Sequence, residues 1–360
     1  MSGIAYVDHR DDPAAWARAL GVSREAVELY LASDVIDLHV DSFIWTRILG
    51  YDLRKRHGHG VLGARFYSQV DFPRALEAQL SGAMWSITTH PLRSARARAH
   101  TFVANVAKLR GIVQSVGDQL ALVRSHAEYV AARAQGKHAV FLAVQGGNAL
   151  DADESTLALL DDSGVIRVTL VHLSSSRLGA TSSPLRLGAD AGLTRAGRRY
   201  IEGLNQRRVF VDLAHISRRG FFDALDVHDK AQPLIVTHTG VSAVHRSWRN
   251  LDDDQIRAVA ETGGTIGVIF HGEFLGGSYL GGGRAVRIVD HLEHIVATVG
   301  EDHASLGSDF DGAIIPPADL RTCLELPRLV QLMLDRKFAP ERVRKILGGN
   351  FLRTLRQLRG

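Results

Sequence analysis

Histidine and aspartate residues close several short apolar runs of this chain. Imidazole and carboxylate groups are the ligands that a borderline divalent cation such as zinc prefers. One histidine at the end of a run is more often structural or solvated than a ligand, but four such runs together favour a metal site. The residues concerned are His39 with Asp41, His172, His215, His238 and Asp309.

Two of the polar residues suggest what chemistry such a site would do. Asp309 lies in the segment 307–312, where a carboxylate can take a proton from an attacking water and return it to a leaving amine. The alternative is a turn or helix-cap role, which we assign to Asp311. Arg249 has the planar guanidinium that binds a carboxylate through two hydrogen bonds. A surface salt bridge is an equally open interpretation of Arg249.

The apolar runs alternate with helical patterns along most of the chain. Runs rich in Val, Ile, Leu and Phe predict parallel strands at 35–40, 83–88, 138–144, 165–171, 208–214, 233–237, 265–270 and 304–308. Eight such strands predict an α/β fold, a single (β/α)8 barrel of the metal-dependent hydrolase type. A doubly wound open sheet is the alternative fold, but the sequence favours it less, because no Gly-rich phosphate loop follows the first apolar run. We expect residues 1–33 to form an N-terminal helical extension and residues 34–360 to form the barrel with closing C-terminal helices.

The composition limits the classes of protein that remain. The chain has 360 residues, 45% of them hydrophobic, and Cys323 is its one cysteine, so no disulfide framework is expected. The net charge is +4, but the arginines are scattered without interleaved aromatic residues, which leaves nucleic-acid binding a weak third reading. No apolar run reaches about 18 residues, so we expect no membrane span. The polar segment 1–12 gives no signal peptide. We expect a cytoplasmic protein that acts on a small molecule, with a homodimer as the commonest assembly.

A colinear set of motifs resembles the membrane (renal) dipeptidases, peptidase family M19 of the amidohydrolase superfamily. The resemblance runs from about residue 34 to the C-terminus. It rests on the segments 37–41, 85–86, 145–147, 192–194, 197–198, 211–217, 237–239, 249–253 and 307–312. It implies a binuclear zinc hydrolase whose substrates are dipeptides, often with a D- or dehydro-residue in the second position.

The metal ligands that the resemblance implies include one departure. His39 and Asp41 would hold one zinc ion, and His215 and His238 would hold the other. The family has a glutamate before two glycines that bridges both ions, and this chain has Gln145 there. A neutral amide gives up an attraction of roughly 4 kcal/mol to each ion at about 4 Å and an effective dielectric near 20. We therefore expect one tightly held ion, a weak second ion, or none.

The remaining roles also follow from the resemblance. His172 would bind substrate or stabilise the tetrahedral intermediate. Arg249 would recognise the C-terminal carboxylate of the substrate, and Asp309 would be the general acid and base.

Two functions remain open at this point. The first is a metal-dependent hydrolase that cleaves the amide bond of dipeptides or similar small amides. The second is a repurposed barrel with a non-hydrolytic or ligand-binding role in a biosynthetic pathway. The second is motivated by Gln145, by Asn148 where the family often has histidine, and by the altered segment 173–179.

Overall fold

A closed barrel of parallel strands forms the centre of the molecule. The computed structural model describes residues 3–90, 92–184, 191–277 and 282–360. Its strands are β1 (Ile36–Val40), β2 (Gly82–Thr88), β3 (Leu120–Leu122), β4 (His138–Gln145), β5 (Val165–Thr169), β6 (Phe210–Asp212), β7 (Ile235–Thr239), β8 (Thr265–Val268) and β9 (Ala304–Leu306). The barrel order is β1-β2-β4-β5-β6-β7-β8-β9, and β3 pairs alongside β4. The predicted (β/α)8 barrel is confirmed.

The barrel closes because β1 pairs with strands on both sides. Ile36 lies opposite Gly82 of β2, and Asp37 lies opposite Leu306 of β9. Each of the eight predicted runs overlaps one barrel strand. The apolar runs did not predict β3, because three residues beside a long helix give no distinct pattern.

Helices surround the barrel in the described part of the chain. They are α1 (Pro13–Leu20), α2 (Arg24–Leu31), α3 (Phe43–Ile48), α4 (Phe72–Glu77), α5 (Ala95–Gln114), α6 (His126–Ala134), α7 (Arg195–Gln206), α8 (Arg218–Val227), α9 (Asp253–Glu261), α10 (Val286–Val299), α11 (Leu326–Asp335), α12 (Pro340–Arg344) and α13 (Asn350–Arg359). Hydroxyl side chains fix where several of them begin. Ser94, Thr194 and Ser217 each accept a hydrogen bond from a backbone N–H in the first turn of the helix that follows.

Apolar side chains fill the amino-terminal end of the barrel. The ring of Phe351 in α13 packs edge-on against Phe141 in β4, with 5.4 Å between centroids, and lies 6.0 Å from Phe210 in β6. Alternate residues of β4 then run through Ala143 to Gln145 at the other end of the strand. The closing helix thus seals one end of the barrel and leaves the carboxyl ends of the strands for polar groups.

Two glycines allow three strands to approach one carbonyl group. A Cβ atom on Gly267 of β8, or on Gly307 just after β9, would overlap the carbonyl oxygen of Thr237 in β7. Only glycine fits at either position with the backbone as it is. Thr237 directly precedes His238, so this contact also sets the position of a candidate site residue.

Candidate metal centre

The structure gathers all eight candidate residues at the carboxyl-terminal end of the barrel. They lie in or shortly after six of the strands; His172 is partly buried and the others are buried. They are His39 in β1, Asp41 after β1, Gln145 in β4, His172 after β5, His215 after β6, His238 in β7, Arg249 in the segment that follows β7, and Asp309 after β9.

Three of these residues are placed to surround one cation. His39, His238 and Asp309 each offer a nitrogen or oxygen atom, and these atoms all lie within 4.8 Å of one another. Nε2 of His39 is 3.5 Å from Oδ1 of Asp309 and 3.5 Å from Oδ2 of Asp41. The rings of His39 and His238 stack with 3.9 Å between centroids. The group therefore joins members of both pairs of ligands expected from the sequence.

Gln145 lies between the two halves of the site. Its amide nitrogen is 3.3 Å from Nε2 of His215 and 3.4 Å from Nε2 of His238. The Thr88 hydroxyl lies 3.3 Å from the amide oxygen of Gln145 and donates to Oδ1 of Asp41 at 2.9 Å. A bridging ligand would occupy this position, but the amide brings no charge to it.

Hydrogen bonds hold His238 in the tautomer that a metal ligand needs. The hydroxyl of Thr237 donates to Oδ2 of Asp212 at 2.7 Å, so it accepts from Nδ1–H of His238 at 2.8 Å. Nε2 of His238 is then unprotonated, and it faces Nε2 of His215 at 2.9 Å. A carboxylate behind a ligating histidine commonly fixes its tautomer in this way.

His39 is held in the opposite tautomer. A guanidinium nitrogen of Arg167 lies 2.8 Å from Nδ1 of His39, and a guanidinium can only donate. Nδ1 therefore accepts, and the neutral ring carries its proton on Nε2, on the side of Asp41 and Asp309. This Nε2 has no hydrogen-bond partner among the described residues. A cation that binds His39 must displace this proton, whereas His238 needs no such change.

The donor set as a whole fits a divalent cation. Asp41, His215, His238 and Asp309 supply two carboxylates and two imidazoles, the mixture that zinc accepts. The buried Nε2 of His39 is without a hydrogen-bond partner in the described structure, and it becomes a further ligand atom only when its proton leaves. The position between the halves of the site, at Gln145, is neutral.

Burial sets the charges of the acidic residues. Burial, together with repulsion from Asp41, raises the pKa of Asp309 well above its usual range. Burial also acts to raise the pKa of Asp41, but its contacts with His39 and Thr88 outweigh this effect, and the pKa of Asp41 is lowered. Burial thus favours the protonated form of Asp309, whereas the contacts of Asp41 favour its ionised form. Such a pair is suited to acid and base chemistry.

Two site residues have an unusual backbone conformation. His215 has φ of 67° and Asp309 has φ of 62°, in the left-handed region that costs a non-glycine residue on the order of 1–3 kcal/mol. Hydrogen bonds hold both: Asp309 N–H donates to the carbonyl of His39 at 3.0 Å, and Ser182 N–H donates to that of His215 at 2.7 Å. The surrounding fold therefore imposes the orientation of these side chains.

Arg249 is buried in the site and is not a surface residue. It is 3% exposed, and its Nη2 donates to the carbonyl oxygen of His238 at 2.5 Å. Burial lowers the pKa of Arg249 to about 10, and the charge of Asp309 opposes this shift. Asp311 instead accepts a hydrogen bond from the hydroxyl of Ser42 at 2.5 Å, which agrees with a structural role.

Sequence reasoning did not identify several residues that support the site. They are Thr88, Arg167 and the pair of Asp212 and Thr237. Arg167 carried a signal, because an arginine inside a buried apolar strand must have partners in the interior. Thr88 carried none, since threonine is a common strand residue.

A (β/α)8 barrel with imidazole and carboxylate groups at the carboxyl ends of its strands defines a class, the metal-dependent barrel hydrolases. The sequence model of the membrane dipeptidases, peptidase family M19, matches residues 23–359, and the chain belongs to this family.

Individual relatives are consistent with this assignment. An uncharacterized protein from the pqqA 5′ region of Klebsiella pneumoniae is 29% identical over 258 residues, which cover 70% of this chain and 94% of that protein. Dipeptidase tcpJ of Claviceps purpurea is 27% identical over 297 residues, 80% of this chain and 69% of that protein. The crystal structure of the M19 metallopeptidase named dipeptidase AC superposes with a TM-score of 0.79 at 26% identity, over 91% of this chain and 98% of that one.

Proposed function

We propose that this protein is a metal-dependent hydrolase that cleaves the amide bond of dipeptides or similar small amides. One observation carries the proposal: ligand atoms of His39, His238 and Asp309 lie within 4.8 Å of one another at the carboxyl end of the barrel. Membership of the membrane dipeptidase family supports the reaction class. The name of the fungal relative, a dipeptidase, supports the substrate class.

The cation in this proposal is zinc, held in one tight position. His238, His215, Asp41 and Asp309 would hold it, and His39 would join them once its Nε2 proton has left. When bound, zinc supplies Lewis acidity, which polarises the amide carbonyl and makes water easier to deprotonate. Gln145 brings no charge between the halves, so a second ion binds weakly or not at all.

Asp309 carries the proton between the two halves of the reaction. Its carboxyl group has two oxygens, so it would have one left to exchange a proton if the other held the cation. When ionised, Asp309 takes a proton from the water that attacks the amide carbon. It then returns this proton to the amide nitrogen as the C–N bond breaks and the amine leaves. The pKa of Asp309, raised by burial, favours the first of these steps, the uptake of the proton from water.

His172 and Arg249 position the substrate. Burial lowers the pKa of His172 to about 4, so its imidazole is neutral at neutral pH and can donate a hydrogen bond to the tetrahedral intermediate. Its ring lies edge-on to that of His215, at 4.7 Å. Nε of Arg249 has no hydrogen-bond partner in the described structure, and this guanidinium would bind the C-terminal carboxylate of a dipeptide.

The metal content of the protein tests this proposal most directly. The protein is saturated with zinc, desalted and measured by elemental analysis, and a panel of dipeptides is then assayed. One ion per chain with turnover of some dipeptides supports the proposal. A folded protein that retains no ion contradicts it.

A repurposed barrel is the second candidate, and Gln145 favours it. The amide nitrogen of Gln145 lies within 3.4 Å of His238 and 3.3 Å of His215, where it satisfies ring nitrogens that an ion would otherwise use. This candidate expects tight binding of a small molecule without turnover of any dipeptide. Turnover of even one dipeptide by the zinc-loaded protein would rule it out.

Several wider features belong to the same proposal. We place the enzyme in the cytoplasm as a homodimer, with residues 1–33 as an extension packed on the barrel. The Tyr30 hydroxyl of α2 supports this packing, since it donates to the carbonyl of Ala78 at 2.6 Å. Among the described residues, no helix combines the length and apolar character that crossing a membrane requires.

A further inference from the structure

A cavity of about 700 Å³ opens beside the candidate metal centre. Thr88, which donates to Asp41, and His172 line its inner side. Its size is that of a small-molecule site rather than of a single side chain. Its walls come from α3, from the segments after β2, β4 and β5, and from α5.

The charged residues of this cavity are all of one sign. Arg47, Arg93 and Lys108 line it, and the lining within the described residues contains no carboxylate. None of the three has an ion pair in the described structure, and Arg93 donates only to the Thr101 hydroxyl at 3.2 Å. The neighbouring Arg98, by contrast, pairs with Asp151 at 2.5 Å.

Arg47 is the clearest case, because it is the least exposed of the three cations. Its Nε atom is inaccessible and has no hydrogen-bond partner among the described residues. Burial lowers the pKa of Arg47, and the carboxylate of Asp41 opposes this shift from the metal centre. A buried guanidinium with an unsatisfied N–H is costly unless a partner arrives.

We propose that this cavity, the Arg47 pocket, binds an anionic group of the substrate, a carboxylate or a phosphate, through Arg47, Arg93 and Lys108. This inference rests on the proposed function, which supplies the amide bond to be cleaved. It extends that function by naming the substrate class, a dipeptide-sized amide with a negatively charged side chain.

The position of the pocket indicates which half of the substrate is charged. Arg249 follows β7, whereas the pocket lies beside α3 and the ends of β2, β4 and β5. In the order of strands around the barrel, β7 lies across the centre from β2, so Arg249 and the pocket are on different sides of the site. If Arg249 holds the C-terminal carboxylate, the pocket faces the N-terminal residue. Ile44, Ile48 and Leu173 supply an apolar wall for the methylene groups of that residue.

Binding of matched dipeptides tests the inference without depending on turnover. The experiment is a calorimetric titration of the Asp309→Asn variant, which is expected to hydrolyse the added dipeptides very slowly. The four dipeptides are Glu-Ala, Gln-Ala, phosphoseryl-alanine and Ser-Ala. We expect Glu-Ala or phosphoseryl-alanine to bind about tenfold more tightly than its neutral counterpart, as for a charge-assisted hydrogen bond. Preference for the first identifies a carboxylate subsite, and preference for the second identifies a phosphate subsite.

Single substitutions locate the preference in the pocket. Arg47→Gln should reduce the anionic-to-neutral affinity ratio to about threefold or less, and Arg93→Gln and Lys108→Gln should each reduce it less, because both of these side chains are exposed. Arg96→Gln is the matched control: Arg96 is an exposed cation on the same helix as Lys108 but outside the cavity. The anionic-to-neutral affinity ratio of the Arg96→Gln variant should equal that of the protein in which Arg47, Arg93 and Lys108 are unchanged.

Two results would overturn the inference. One is equal affinity for the anionic and neutral members of both ligand pairs. The other is a preference that survives the double substitution Arg47→Gln and Arg93→Gln. Failure of the proposed function is distinct from both, because it appears as a lack of dipeptide hydrolysis by the zinc-loaded native protein, whatever the affinity ratios are.

Discussion

Gln145 differs from glutamate by one group, an amide nitrogen in place of an oxygen. That nitrogen lies 3.3 Å and 3.4 Å from ring nitrogens of His215 and His238, so the side chain already reaches where a bridging carboxylate would lie. The geometry of the site therefore tolerates glutamate, and charge is the main property that the substitution would change.

We expect Gln145→Glu to raise zinc content from about one ion per chain towards two. A full charge near each ion restores roughly 4 kcal/mol of attraction at an effective dielectric near 20, or about a thousandfold in affinity for the weaker position. Elemental analysis after desalting measures the stoichiometry. Gln145→Met has a similar volume and no charge, and it serves as the control. An unchanged zinc content in Gln145→Glu would show that another residue excludes the second ion.

Asp309 and Asp311 offer a comparison of two buried carboxyl groups two residues apart. We expect Asp309→Asn to lower kcat by about 10² to 10⁴, because an amide cannot exchange the proton. Asp311→Asn should instead lower the melting temperature and change kcat by only about threefold, because Asp311 bonds Ser42 and the backbone N–H of Gln69. Steady-state kinetics and thermal unfolding separate the two effects. Equal losses of kcat in the two variants would argue against Asp309 as the proton carrier.

At the scale of elements, β7, β8 and β9 pack so closely around the Thr237 carbonyl that only glycine fits at positions 267 and 307. We expect Gly307→Ala to destabilise the protein by about 2 kcal/mol or more, since an added methyl group must push β7 away. The shift moves His238, so zinc affinity should fall as well. Gly111→Ala is the control: Gly111 lies inside α5 with open space around it, and alanine there should stabilise the helix by up to about 1 kcal/mol. Urea unfolding of both variants measures the difference, and a Gly307→Ala variant as stable as the native protein would contradict this account of the packing.

The sequence predicts the elements well and the contacts between them less well. Apolar runs are local patterns, so all eight barrel strands were found, and the histidines at their ends followed. The contact between Arg167 and His39 joins residues far apart in the chain, and no local pattern reports it. The tautomers of His39 and His238 depend on such contacts. The direction of the pKa shift at Asp309 likewise depends on how deeply the fold buries it.

At the scale of the whole molecule, buried histidines make folding sensitive to acid. His138 is fully enclosed, accepting from Nε1–H of Trp85 at 3.1 Å and facing the carbonyl of Leu80 through Nδ1 at 2.8 Å. Burial lowers the pKa of His138 from 6.5 to about 4. Burial likewise lowers the pKa values of His172, His271 and His291 to about 4.

We expect stability to fall as the pH is lowered from about 6.5 to about 4. In this window the unfolded chain binds a proton at His138 that the folded protein does not, so the loss begins at the unfolded pKa and is complete near the folded pKa. The shift at His138 corresponds to about 3 kcal/mol. His138→Gln keeps an acceptor and a donor but does not titrate, so its stability should decline less over the window. Urea unfolding at several pH values measures this, and parallel declines in the two proteins would contradict it.

The pairing of β1 with β9 has a consequence for how the protein is made. Asp37 of the first strand lies opposite Leu306 of the last, and the candidate ligands extend from His39 to Asp309. During synthesis the barrel cannot close, nor can its site assemble, until the ribosome has passed Asp309. Any strands that form before then keep unpaired edges. If the proposed function is correct, the loading of zinc becomes one of the last events in the maturation of the protein.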